Sequence, residues 1–125
     1  MHNTKHRILI VEDENALNEA YQLILSKAGY TVDTAFDGHE ALDKIKAAEP
    51  TLVLLDLRMP RLDGIGFLRK LNLLDNHPKM RVIVFSNYDM QKEIDEAYRL
   101  GADRYFMKAL ASPKELLQVV EATLA

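Results

Sequence analysis

Short apolar runs alternate along this chain with longer segments in which apolar residues recur every three or four positions. The runs are Arg7-Ile8-Leu9-Ile10-Val11, Leu52-Val53-Leu54-Leu55, Arg81-Val82-Ile83-Val84-Phe85 and Arg104-Tyr105-Phe106-Met107. Three of the four are almost unbroken, as parallel strands covered on both faces should be. A further run, Tyr30 to Phe36, alternates instead. Tyr30, Val32, Thr34 and Phe36 fall on one face and Thr31, Asp33 and Ala35 on the other, which predicts a half-exposed edge strand. Between the runs, Leu17, Tyr21, Ile24 and Ala28 form one helical stripe, followed by Gly29 at a helix C-terminus. Asp37 and Glu40 open a second helix with a capping-box pattern, and Pro50 blocks its continuation. Ile65, Leu68 and Leu71 mark a third helix, and Ile94, Ala97 and Tyr98 a fourth, closed by Gly101. Ser112-Pro113-Lys114-Glu115 starts a fifth, whose buried face is Leu116, Val119, Val120 and Thr123. The polar stretch from Asn72 to Lys79 reads as an exposed loop.

Strand-helix alternation repeated five times predicts a doubly wound α/β fold with right-handed crossovers. The edge-like second strand favours the order 2-1-3-4-5. Ligands then bind beyond the carboxyl ends of the strands, where strands one and three diverge.

Composition narrows the picture by exclusion. The chain has 125 residues, 48% hydrophobic and 28% charged, with no cysteine. This predicts one domain over residues 1–125, with its core at about 7–124, and no disulfide framework or thiolate chemistry. The net charge is −3, without the basic surplus of a nucleic-acid binder, so no direct nucleic-acid contact is expected. The apolar run Ile8 to Val11 is too short for a membrane span or an export signal, so a cytoplasmic location and no membrane contact are expected. His2, His6, His39 and His77 are scattered and read as solvated.

The chemistry lies at the strand ends. Strand one leads into Glu12-Asp13, strand three into Asp56, strand four into Ser86 and strand five into Lys108. Each alone is ordinary loop polarity. Together they bring three carboxylates, a hydroxyl and an ammonium to one sheet edge. Clustered carboxylates raise one another's pKa unless a cation intervenes. A hard ion such as Mg²⁺ suits one or two carboxylates, waters and a phosphate oxygen. Lys108 and Ser86 would face the oxygens of a phosphoryl group, with a carboxylate as nucleophile.

At this point the sequence resembles the response-regulator receiver family, from about Arg7 to Leu124. The most specific piece is Asp56-Leu57-Arg58-Met59-Pro60-Arg61-Leu62-Asp63-Gly64, which looks like the family's D-x-x-M-P-x-x-D-G loop. The resemblance implies a flavodoxin-like (βα)5 fold with Asp56 as phosphoacceptor. It implies that Asp13, Asp56 and the backbone carbonyl of Arg58 hold Mg²⁺ or Mn²⁺, with Glu12 assisting. Ser86 and Tyr105 match the family's switch residues, and Lys108 its site lysine. The implied donor is a histidine kinase or a histidine phosphotransfer protein. The implied output is a changed face on the fourth helix, fifth strand and fifth helix, near Tyr98, Arg99, Tyr105 and Leu110, read by a downstream protein or used in phosphorelay. Such a chain catalyses only its own phosphorylation and dephosphorylation. Tyr98 itself is expected to pack at the core boundary rather than to touch a partner.

Three departures from the family pattern involve four positions. Ala109 follows Lys108 where the family usually has a proline after a cis bond, which predicts a trans bond or a strained loop. Asn87 follows Ser86 where a smaller residue is usual. Arg58 and Tyr88 flank the site and are expected to shield the phosphate from water. The competing readings are a receiver-like interaction module that does not switch, a flavin mononucleotide protein and a dehalogenase-type phosphatase. The flavin reading is weakened by Glu12-Asp13-Glu14, which would repel a phosphate. The phosphatase reading is weakened by Arg58, which stands where a second acid is wanted.

Overall fold

The computed structural model of the chain describes residues 6–86, 90–108 and 112–125. His2, Asn87, Tyr88, Ala109 and Leu110, singled out above, lie outside the described residues. Five strands, β1 (Arg7–Val11), β2 (Thr31–Ala35), β3 (Leu52–Asp56), β4 (Arg81–Ser86) and β5 (Arg104–Met107), form one parallel sheet in the order β2-β1-β3-β4-β5. The fold class and strand order expected from the pattern are therefore observed. The helices are α1 (Asn15–Lys27), α2 (Gly38–Ala47), α3 (Gly64–Leu71), α4 (Leu73–Asn76), α5 (Gln91–Arg99) and α6 (Pro113–Leu124).

The sheet divides two apolar cores, and strand alternation decides which residue joins which. Leu9, Val11, Val53, Leu55, Val82 and Val84 pack on one face with α2, α3, α4 and α5. Ile8, Ile10, Leu52, Leu54, Ile83 and Phe85 pack on the other with α1 and α6. The central strands are apolar at every position because both faces are covered. Strand β2 is the edge. Its Val32 packs towards the α1/α6 core, its Ala35 is buried on the opposite side, and its Asp33 pairs with Arg7 at 2.7 Å.

The helix starts behave as their sequences require. Asp37 accepts from the Glu40 N–H at 2.9 Å, while Glu40 Oε1 reaches back to the Phe36 N–H at 2.8 Å. Ser112 accepts from the Glu115 N–H at 3.1 Å, with Pro113 in the first turn. Caps of this kind stabilise by about 1 kcal/mol each. Gly29 and Gly101 have φ of 99° and 113°, the left-handed conformation that ends a helix without a Cβ clash.

Three expectations are corrected. The stretch after Asn72 is not all loop, because Leu73–Asn76 forms the single turn α4 and buries Leu73. Leu73 supplies an apolar anchor that the polar surroundings conceal, and its side chain occupies the space a Cβ on Gly101 would need. The fourth and fifth helices of the sequence pattern are consequently α5 and α6. Tyr98 is 45% exposed, whereas Ile94 and Ala97 carry the buried face of α5. In α1 the buried positions are Asn18, Tyr21 and Leu25, with Leu17 and Ile24, and Ala28 just past the helix end, only half-buried.

Candidate functional site

Strand alternation carries past the sheet edge into the site. Asp56 closes β3 in phase with Leu52 and Leu54, so it sits on the α1/α6 side, and Glu12 follows Ile8 and Ile10 in the same phase. Ser86 follows Val82 and Val84 and falls on the opposite side, as does Tyr105, which packs against the α2–α5 core.

The three carboxylates do converge. One oxygen each from Glu12, Asp13 and Asp56 lies within 4.8 Å of the others. Glu12 and Asp56 are buried, while Asp13 is exposed. Lys108, just beyond β5, places Nζ 2.7 Å from Glu12 Oε1 and 3.2 Å from Asp56 Oδ2. Burial pushes Glu12 up to about 7, with Asp56 adding to the rise and Lys108 opposing it. Burial also raises Asp56, against the pull of Lys108. For Lys108, burial acts downward, but the two carboxylates outweigh it and raise the ammonium above its ordinary value. One ammonium among three acids leaves the cluster short of positive charge. An all-oxygen donor set of this kind fits a hard divalent cation.

The rest of the site is set by backbone. The Arg58 N–H donates to Asp56 Oδ1 at 3.3 Å, whereas its guanidinium turns outward to Glu93 of α5 at 3.1 Å. The Leu57 N–H donates to the Phe85 carbonyl at 3.3 Å, tying the loop after Asp56 to β4, and the Gly64 N–H donates to the Leu57 carbonyl at 3.0 Å, closing that loop. Gly64 is required there, since a Cβ would sit 2.7 Å from the Asp56 carbonyl oxygen and from the Leu57 Cα. Ser86 Oγ is buried with no hydrogen-bond partner among the described residues. An unpartnered buried hydroxyl is costly, and an incoming oxyanion would satisfy it.

Glu12, Asp13, Asp56 and Lys108 are thus brought together, Ser86 closes β4 at the same sheet edge, and Tyr105 packs on the α2–α5 side. The pattern reading missed Asn18. This amide is fully buried, and its Nδ2 donates to the Glu12 carbonyl at 2.9 Å. The signal was available, because Asn18 shares the helical spacing of Tyr21 and Leu25.

Comparison with known proteins agrees with this fold. The family model described as the response regulator receiver domain matches residues 8–121. The chain belongs to the response-regulator receiver family. The response regulator MprA of Mycolicibacterium vanbaalenii is 39% identical over 118 residues, covering 94% of this chain and 50% of that one. A CheY-like receiver domain protein from Methanospirillum hungatei superposes with a TM-score of 0.87 at 33% identity, covering 95% of this chain and 93% of that one. The chemotaxis protein CheY4 of Vibrio cholerae gives a TM-score of 0.87 at 25% identity, with 95% and 98% covered. The chain spans about half the length of the curated relatives it matches, 45% and 50% for the first two. Receiver domains are signalling domains whose role depends on phosphorylation, and they typically bind Mg²⁺ at an acidic site such as the one formed here. Among the described residues no helix is long and apolar enough to cross a membrane.

Proposed function

We propose that this receiver unit, residues 1–125 with its core at about 7–124, accepts a phosphoryl group on Asp56 from a histidine kinase or a histidine phosphotransfer protein. The observation that carries the reading is the position of Asp56. It lies at the carboxyl end of β3 with Lys108 Nζ at 3.2 Å and two further acids within 4.8 Å. An Asp56 carboxylate oxygen attacks phosphorus, the P–N bond to the donor imidazole breaks, and the imidazole leaves with that electron pair. The product is an acyl phosphate, which water later cleaves to return the carboxylate and inorganic phosphate. The chain so acts on itself rather than on a substrate it turns over.

Asp13, Asp56 and the Arg58 backbone carbonyl would hold Mg²⁺ or Mn²⁺, with Glu12 assisting. Bound there, the ion supplies positive charge to the non-bridging phosphoryl oxygens. Lys108 moves its ammonium from carboxylate to phosphoryl oxygen, so its charge is in place before transfer begins. Ser86 donates its hydroxyl proton to the same group. Because Ser86 and Tyr105 lie on the α2–α5 side, their shift alters the face built by α5, β5 and α6, near Tyr98 and Arg99. A downstream protein reads that face, or the phosphoryl group is relayed onward.

Intact mass after incubation with acetyl phosphate tests this, with and without Mg²⁺ and beside Asp56→Asn. The expected result is a Mg²⁺-dependent gain of one phosphoryl group that the variant lacks. A gain that persists in Asp56→Asn would overturn the assignment.

A further inference from the structure

Helix α1 buries an amide where its spacing calls for an apolar side chain. Asn18 lies in line with Tyr21 and Leu25 and has no exposed surface. Burying an amide is unfavourable unless its hydrogen bonds are made. Here they are made on both sides. Nδ2 donates to the Glu12 carbonyl at 2.9 Å and to the Ala35 carbonyl at 3.4 Å, and Oδ1 accepts from Gln22 Nε2 at 2.9 Å. Two carbonyls on one side and a donor on the other allow only one orientation of the amide.

The bond to the Glu12 carbonyl has a consequence at the site. That carbonyl belongs to the planar peptide unit that carries the Asp13 nitrogen and Cα, so fixing the oxygen fixes the plane from which Asp13 departs. The preceding peptide is fixed as well, because the Glu12 N–H donates to the Ala35 carbonyl at 3.0 Å. Both peptides flanking Glu12 are therefore tied, one by β2 and the other by Asn18. The Asp13 side chain is exposed, so its direction is set from the backbone rather than by packing. The platform behind Asn18 is firm, since Tyr21, one turn on, stacks on Phe85 with centroids 5.1 Å apart.

We propose that Asn18 is a positioning residue for the acidic pair, holding the Glu12–Asp13 peptide so that both carboxylates meet Asp56 at the spacing a divalent cation needs. The proposal rests on the functional reading above. It assigns to Asn18 no contact with the ion or the phosphoryl group, only the placement of groups that make such contacts.

The test uses the whole chain and Mg²⁺ alone, titrated by calorimetry, with thermal melts in parallel. Asn18→Leu keeps the branched shape and removes the donor. Its folded form is expected to bind Mg²⁺ roughly tenfold more weakly, the scale seen when groups supporting metal ligands are removed. Acetyl-phosphate labelling of Asp56 should then need correspondingly more Mg²⁺ but approach the wild-type extent at saturation. A merely structural role would lower the melting temperature and leave the affinity of the folded form unchanged, and that result overturns the proposal. Gln22→Met keeps Asn18 but removes the bond that braces it, and should weaken Mg²⁺ binding in the same direction as Asn18→Leu, by less. If Asn18→Leu does not fold, wild-type affinity in Gln22→Met overturns the proposal on its own. Failure of the wild-type chain to bind Mg²⁺ at all would instead bring down the functional reading, and this proposal with it.

Discussion

Lys108 is held more closely by Glu12, at 2.7 Å, than by Asp56, at 3.2 Å. The ammonium therefore stands as the counter-ion of a residue that is not the expected phosphoacceptor. Removing it leaves two buried carboxylates facing each other, and losing one partner of a buried ion pair costs about 3 kcal/mol or more. Lys108→Met should accordingly be destabilised at pH 8 in the absence of Mg²⁺, with much of the loss recovered when Mg²⁺ is added. Urea denaturation with and without the ion measures this. A variant midpoint equal to the wild-type one would show that the ammonium contributes nothing to the resting site.

The same burial gives the Mg²⁺-free protein a definite pH dependence. Glu12 is raised from 4.5 to about 7, and Asp56 is raised in the same direction, with Lys108 facing both and Asp13 beside them. Between these values the folded chain holds protons that the unfolded chain has released, so stability falls as pH rises from about 4.5 to about 7. Melting temperatures across this range should decline in wild type and change much less in Glu12→Gln. Saturating Mg²⁺ should flatten the wild-type curve too, because the ion takes the place of the protons. A flat wild-type profile without Mg²⁺ would contradict the burial cost assigned to Glu12.

Arg58 leaves the loop after Asp56 and pairs with Glu93 on α5. The Arg58 side chain is 61% exposed, so the pair adds little to stability, on the order of 0–1 kcal/mol. Its effect should appear instead in the aspartyl phosphate, over which a guanidinium freed from Glu93 can swing. Glu93→Gln is expected to lengthen the phosphoryl lifetime and Arg58→Ala to shorten it. Decay followed by mass, with melting temperatures as a control, would show whether Arg58 screens the acyl phosphate. Identical lifetimes in all three proteins would exclude it.

Gly64 is fixed by space. A Cβ would meet backbone, the Asp56 carbonyl oxygen and the Leu57 Cα, both at 2.7 Å. Backbone cannot step aside as a flexible side chain can, so Gly64→Ala should cost about 2 kcal/mol and displace the Asp56 loop. Chemical denaturation beside acetyl-phosphate labelling should show both effects. A stable variant with normal labelling would mean that the loop has slack the structure does not show.

Much of this was legible in the sequence because the fold writes its signals locally. Buried parallel strands must be apolar throughout, and Leu52 to Leu55 and Arg81 to Phe85 read as strands for that reason. Glu12, Asp13, Asp56, Ser86 and Lys108 were legible because each follows such a run, and a parallel sheet collects such positions at one edge. What stayed hidden depends on partners distant in sequence. The anchoring of Leu73 needs Gly101 beside it, the exposure of Tyr98 follows from the way α5 lies on the sheet, and the bond from Asn18 needs the Glu12 carbonyl. The preference of Lys108 for Glu12 is likewise a matter of geometry across the site, which no local pattern records.

The sheet that separates the two cores also separates two kinds of change that the protein could undergo over time. Glu12, Asp56 and Lys108 lie on the α1/α6 side, while Ser86 and Tyr105 lie on the side of α5. Under the proposed chemistry, substitutions behind the first group would retune how readily the chain is charged. Those behind the second would retune who listens. A fold arranged in this way can acquire a new audience without renegotiating its fuel, and can change its supplier without falling silent.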